Sequence, residues 1–90
     1  MKIQLEKIKE LYGDNTLYEI KNNIDIVSNN LNYLGKYQIE NIDEIFANYP
    51  YIFISSPELF RTKIDSFIEK LGIEYKEELE RNMALWGNLL

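Results

Sequence analysis

The side chains that most often do chemistry are scarce in this 90-residue chain, which has no histidine and no cysteine. The usual general base, the thiol nucleophile and the soft metal ligands are therefore missing. What remains is carboxylate chemistry. Glu40 with Glu44, and Glu74 with Glu78, stand four residues apart and share a face of a helix. Asp43 with Glu44, and Glu77 with Glu78, are neighbours that point in different directions. Paired carboxylates serve acid–base catalysis or hold Mg²⁺ only where they converge in a buried site. At these spacings they read as solvated helix faces. The four glycines stand alone, so no glycine-rich loop is present to cradle a phosphate. The expectation is a protein that is not an enzyme, with no catalytic residue, no metal site and no cofactor.

Charge narrows the partners. Ten basic residues face fifteen acidic ones, for a net charge of −5, and residues 36–60 alone sum to −3. Affinity for phosphates comes mainly from counterion release by clustered Lys and Arg, and no five-residue window holds more than two basic residues. A recognition helix over Pro57 to Leu71 would turn Arg61, Thr62, Lys63, Ser66 and Lys70 outward. Glu58, Asp65 and Glu69 read as lying on the same exposed side and nearly cancelling that charge. These features argue against nucleic acid. The acidic strip Glu40, Asp43, Glu44 instead suits a basic protein partner, steered by long-range attraction that weakens with salt.

Aromatic and apolar residues supply the other candidates. Tyr and Trp are favoured at interfaces because they offer large area at low entropic cost. Tyr37, Tyr51 and Phe53 fall off the main apolar stripes, and together they would form an exposed partner-binding patch; otherwise they close the ends of helical hairpins. The tail Trp86, Leu89 and Leu90 either folds back on the core or docks on another chain, including a second copy.

The elements that must position these residues are helices. Leu5, Ile8 and Tyr12 mark a first helix ending at Gly13, and Thr16 with Glu19 fits a capping box for the next. Leu17, Ile20, Ile24, Val27, Leu31 and Leu34 then repeat in steps of three and four, predicting one helix of 18 residues ended by Gly35. Its polar face is Glu19, Asn22, Asn23, Ser28, Asn29, Asn30 and Asn32. A third helix carries Ile39, Ile42, Ile45, Phe46 and Tyr49, with Asn41 and Glu44 as a possible cap, and Pro50 stops it. Residues 51–54 are strand-like in composition but have no partner strand, and read as a tight or extended connector. Ser56-Pro57 starts a fourth helix on Phe60, Ile64, Phe67, Ile68 and Leu71. Gly72 closes it, with Ile73 available for the apolar contact of a C-cap. A fifth helix runs from Tyr75 to Trp86 on Tyr75, Leu79, Met83 and Trp86.

The apolar positions recur at an offset of 37 residues, which takes Leu34-Gly35 to Leu71-Gly72 and Tyr12 to Tyr49 to Trp86. Such a period marks stacked units that bury their faces on one another. On this reading the three aromatic positions fill matching gaps. The fold class expected is all-α: five helices as two and a half helical hairpin repeats, in a small solenoid-like stack or orthogonal bundle, forming one domain over residues 1–90.

The stretch from Asn41 to Gly72 reads helix, Tyr49-Pro50, short apolar connector, Ser56-Pro57-Glu58-Leu59, helix, Leu71-Gly72. It resembles the helical repeat of the mitochondrial transcription termination factor family. That repeat places a proline after its first helix and ends its last helix with Leu-Gly. The resemblance covers one unit well and the first unit in part, where Gly13 and Ile20 stand in place of the two prolines. It implies helical units curving into a solenoid, with nucleic acid bound along a basic groove. The acidic charge here departs from that pattern.

No apolar run reaches the ~20 residues of a membrane span, and the start shows no signal peptide. A cytoplasmic protein is expected, and ten asparagines beside abundant Ile, Lys and Tyr suggest an AT-rich bacterial or mobile-element gene. The functional expectation is a small acidic interaction or regulatory protein that acts through protein contacts. The alternatives are a nucleic-acid-binding repeat protein, or an acidic inhibitor seated on a nucleic-acid enzyme.

Overall fold

Residues 5–89 are described by a computed structural model. Among them are six α-helices: α1 (Leu5–Tyr12), α2 (Asp14–Asn22), α3 (Ile24–Gly35), α4 (Ile42–Asn48), α5 (Pro57–Leu71) and α6 (Tyr75–Arg81). Two 3-10 segments, Pro50–Ile54 and Met83–Leu89, complete the order, and the described residues form no strand. The all-α expectation holds, with more and shorter helices than the five foreseen. The chain's radius of gyration, 12.6 Å, is close to the ~12 Å of a compact domain of this length. No described helix is long and apolar enough to cross a membrane.

The longest predicted helix breaks in the middle. Asn23 sits at φ −118°, ψ 26° between α2 and α3, and its side-chain amide donates to the Glu19 carbonyl at 2.8 Å. Its backbone N–H turns to the Ile20 carbonyl, tightening the last turn of α2. An asparagine that bonds its own backbone offers the chain an alternative to the helical ladder. Ile20 and Val27 on either side of the break are both fully buried, while Ile24 at the break is partly exposed. The capping box also fails to form. Thr16 is buried inside α2, and its hydroxyl shares a hydrogen bond of 2.6 Å with the Tyr51 hydroxyl. Gly13, at φ 88°, both closes α1 and opens α2, a conformation that suits glycine.

Other boundaries follow the local chemistry. The Ser56 hydroxyl accepts from the Leu59 N–H, Pro57 occupies the first turn of α5, and Gly72 at φ 79° ends it. Ile73 makes no C-cap contact, since it is 99% exposed. Asn41 precedes α4 but gives it no side-chain cap. After Tyr49 the chain does not run on extended; Pro50 opens a 3-10 segment whose Ile52 N–H reaches the Tyr49 carbonyl. The last helix stops at Arg81, because Asn82 is extended, and Trp86 lies in the following 3-10 segment.

The core is built on α3 packed against α5. Val27, Leu31 and Leu34 face Phe60, Ile64, Phe67 and Ile68, and α4 adds Ile42, Ile45, Phe46 and Ala47. Phe53 enters from the 3-10 segment, 5.6 Å centroid to centroid from Phe46 and 5.4 Å from Phe60. Asn30, read from sequence as part of the polar face, is wholly buried. Its amide donates to the Phe53 and Ser55 carbonyls, both at 2.9 Å, and so ties the 3-10 segment to α3.

Removing that amide leaves the buried Phe53 carbonyl and the part-buried Ser55 carbonyl without this donor, and a single unmade buried bond of this kind costs about 1–3 kcal/mol. Asn30→Ala is expected to lower unfolding stability by about 2–4 kcal/mol in urea titration followed by circular dichroism. Asn30→Asp is expected to be worse at neutral pH, where a carboxylate would face two carbonyl oxygens, and to recover in acid. A loss under about 0.5 kcal/mol for Asn30→Ala would show that the latch carries no weight.

Candidate functional site

α4 is too short to be stable by itself, and burial of its inner face holds it. That orientation turns Glu44 and Asn48 to solvent and leaves Asp43 half-exposed, with Glu40 exposed just before the helix. None of the three carboxylates belongs to an ion pair among the described residues, where the pairs formed are Lys9–Asp14 and Glu77–Arg81. Asp43 and Glu44 lie in the first turn of α4, where the helix dipole favours negative charge. The acidic edge is thus structurally permitted and electrostatically unspent.

An aromatic group joins this edge at the C-terminal end of α4. Tyr12, at the end of α1, donates its hydroxyl to the Asn48 carbonyl at 2.5 Å, satisfying an acceptor that the end of the helix leaves free. The Asn48 side chain in turn donates to the Glu44 carbonyl at 2.8 Å. Tyr49 and Tyr51 lie beside Tyr12; burial first, then these two neighbouring phenols, raises the Tyr12 pKa above its ordinary value. Tyr12 is 37% and Tyr51 47% exposed, while Tyr49 is half-buried with its ring against Gly87. Three tyrosines therefore gather at the C-terminal end of α4, whose first turn carries Asp43 and Glu44.

The predicted site residues divide accordingly. Tyr51, Glu40, Asp43 and Glu44 are on the surface as expected. Phe53 is not; it is fully buried among Phe46 and Phe60, so it cannot contact a partner. Trp86 is also fully buried, its ring 5.5 Å from Phe67, and Leu89 is buried too. Of the two fates open to the tail, the described part folds back on the core. Leu90 lies outside the described residues. Tyr12 was assigned from the repeat to a gap between hairpins, yet it is partly exposed; only its place beside Tyr49 in the repeat hinted at a common surface.

Tyr37 belongs to a different cluster. Its hydroxyl and that of Tyr33 both donate to one oxygen of the Asp65 carboxylate, at 2.5 and 2.6 Å. The Arg61 guanidinium lies 4.9 Å from the centre of the Tyr33 ring and also meets Asn29. Tyr75 packs edge-on against Tyr37 and donates to its carbonyl, linking α6 to the chain after α3. This clasp joins α3 to α5 across the surface. Sequence patterning missed it because Asp65 looks like one more solvated charge on α5.

No group of three or more Asp or Glu residues among the described residues converges closely enough to hold a metal ion. Comparison with protein-family models, curated proteins and solved structures finds no match to this chain.

Two phenol donors favour the ionised carboxyl, so the Asp65 pKa is held below its ordinary value, with Arg61 adding a smaller pull in the same direction. The same bonds raise the pKa values of Tyr33 and Tyr37. Because the folded-state pKa of Asp65 is depressed, the clasp's contribution is fully present above the ordinary carboxylate range. It is lost as pH falls through the folded value. Carbon-detected NMR titration is expected to place Asp65 below the ordinary ~4, and Tyr33→Phe with Tyr37→Phe to return it there. An unshifted Asp65 in the wild-type chain would contradict the clasp.

Proposed function

We propose that this protein is a non-enzymatic interaction protein of the cytoplasm. It binds a basic protein segment on the surface formed by Tyr12, Tyr49 and Tyr51 with Glu40, Asp43 and Glu44. The observation that carries this reading is that α4 has two exposed tyrosines beside its C-terminal end and, on and just before its first turn, carboxylates that pair with no cation among the described residues. Carboxylates attract Lys and Arg from a distance, and tyrosine rings bind the same cations at contact through their π faces. Tyrosine's low rotamer entropy makes the surface inexpensive to order on binding.

A hairpin-repeat origin is consistent with this placement. The offset of 37 residues lays α1 over α4 and α3 over α5, and it brings Tyr12 onto Tyr49, its neighbour in space. The likeness of residues 41–72 to the transcription termination repeat supports the same descent. It does not favour nucleic-acid binding here, given the net charge of −5. The acidic edge does favour a second reading within the same class: an inhibitor that covers the basic nucleic-acid site of an enzyme.

The test is affinity capture from the native host with the wild-type chain and with Glu40→Lys, Asp43→Lys, Glu44→Lys combined, each at low and high salt. These residues are exposed or half-exposed, so the variant should keep its helical circular dichroism. The expected result is a basic partner that is retained by the wild type at low salt, is released at high salt, and binds the variant at least about tenfold more weakly. A nucleic-acid enzyme in that fraction selects the inhibitor reading. Equal capture by both proteins at both salts would end the proposal.

A further inference from the structure

A second surface carries the opposite charge. Between α5 and the 3-10 segment Met83–Leu89 runs an open groove of about 670 Å³, within the ~300–1,000 Å³ of ordinary binding clefts. Its apolar lining is Phe67 and Leu71 from α5 with Leu85 and Leu89 from the C-terminal segment, and among the described residues Lys63 and Lys70 are its only charged lining. Neither lysine belongs to an ion pair among the described residues.

The arrangement of charge on α5 corrects the expectation that its acidic residues cancel its basic ones. At about 100° per residue, Lys63 and Lys70 lie within about 20° of each other around the helix axis. Glu58, Asp65 and Glu69 cluster on the far side, about 100–160° away from the lysines. Asp65 is turned to Tyr33 and Tyr37, away from the groove residues. On one side the buried stripe of Phe60, Ile64, Phe67 and Ile68 separates the two sets, and on the solvent side Thr62 and Ser66 lie between them. The groove is therefore locally basic on a chain that is acidic in total.

The geometry points to an acidic amphipathic helix of a partner protein as the occupant of this groove. Its apolar residues would cover the half-buried Leu71 and Leu85 above a floor made by the nearly buried Phe67 and Leu89, and its Asp or Glu residues would face Lys63 and Lys70. The two lysines are seven residues apart, about 10 Å along α5. That separation matches acidic residues one heptad apart on a docked helix, and it does not focus on the single head group of a small anion. An open groove alongside a fifteen-residue helix suits the helix-in-groove mode of recognition. This inference shares no residue with the tyrosine–acidic surface and stands or falls separately from it.

Trp86 is the only tryptophan and packs on Phe67 beneath the groove, so its emission reports occupancy. The probe is a capped helical peptide of about 18 residues without aromatics, with leucines along one face and glutamates flanking them at seven-residue spacing. The expected result is a saturable change in Trp86 emission that Lys63→Glu with Lys70→Glu weakens at least about tenfold. A peptide with lysine in place of glutamate should ignore the wild type and bind that variant. If the reversed variant does not fold by circular dichroism, Lys63→Gln with Lys70→Gln takes its place, and weaker binding is again expected. Equal binding of the two peptides, no saturable change with either, or binding unaffected by the lysine substitutions would overturn the inference. So would a response to phosphatidylglycerol vesicles in place of the peptide, or self-association of the wild type that the substitutions abolish.

Discussion

The fold depends on one buried amide. Between α4 and α5 the chain turns tightly through Pro50–Ile54, and a single short 3-10 segment leaves carbonyls that no helix ladder satisfies. Two of them, at Phe53 and Ser55, point at α3, where the Asn30 side chain donates to both. An unmet carbonyl there would cost about 1–3 kcal/mol, comparable with the return from burying one large apolar side chain. With both satisfied, Phe53 enters the core between Phe46 and Phe60. Tyr51, two residues earlier, is held outward with its hydroxyl on Thr16. The same latch thus fills the centre of the molecule and fixes the outward tyrosine of the proposed binding surface.

What could be read from sequence alone follows from which interactions are local. Ser56-Pro57, Gly13 and Gly72 mark helix ends by backbone chemistry that no distant residue overrides, and all three stand where the pattern puts them. The acidic edge was legible because three carboxylates beside a short apolar stripe have nowhere to go but solvent. Asn30 was not legible: an asparagine in an Asn-rich face looks solvated until a carbonyl more than twenty residues away is known to need it. The break at Asn23 was hidden for a related reason. A three–four apolar rhythm continues through Ile24, but the side-chain bond to Glu19 and the burial of Ile20 and Val27 favour a turn. Phe53 was misplaced because an aromatic residue in a connector reads as surface, and Trp86 stood open between core and partner because a chain-end aromatic suits either. In a chain of 90 residues, the core must recruit them from the connections as well.

Helix length decides how each surface is supported. α4 has only seven residues and four of them are buried, so its outer edge is free to carry charge that contributes little to folding. Tyr12 then caps its C-terminal end from outside by donating to the Asn48 carbonyl, and the capping tyrosine becomes part of the exposed group. α5 has fifteen residues and is anchored along one stripe, which leaves two separate flanks. One flank is occupied by the Tyr33–Tyr37 clasp on Asp65 and the other by Lys63 and Lys70 above the groove.

Net charge is for this reason a poor guide to what the molecule binds. At physiological salt the screening length is about 8 Å, shorter than the 22 Å of the molecule's smallest dimension. A partner near the groove therefore responds to two lysines more than to the excess of carboxylates elsewhere. A partner approaching α4 meets Glu40, Asp43 and Glu44 with no cation paired to them. The net charge of −5 is spread unevenly, so that the two proposed surfaces differ in local sign. Each proposed surface would then select its partner by the charge near it and not by the charge of the whole chain.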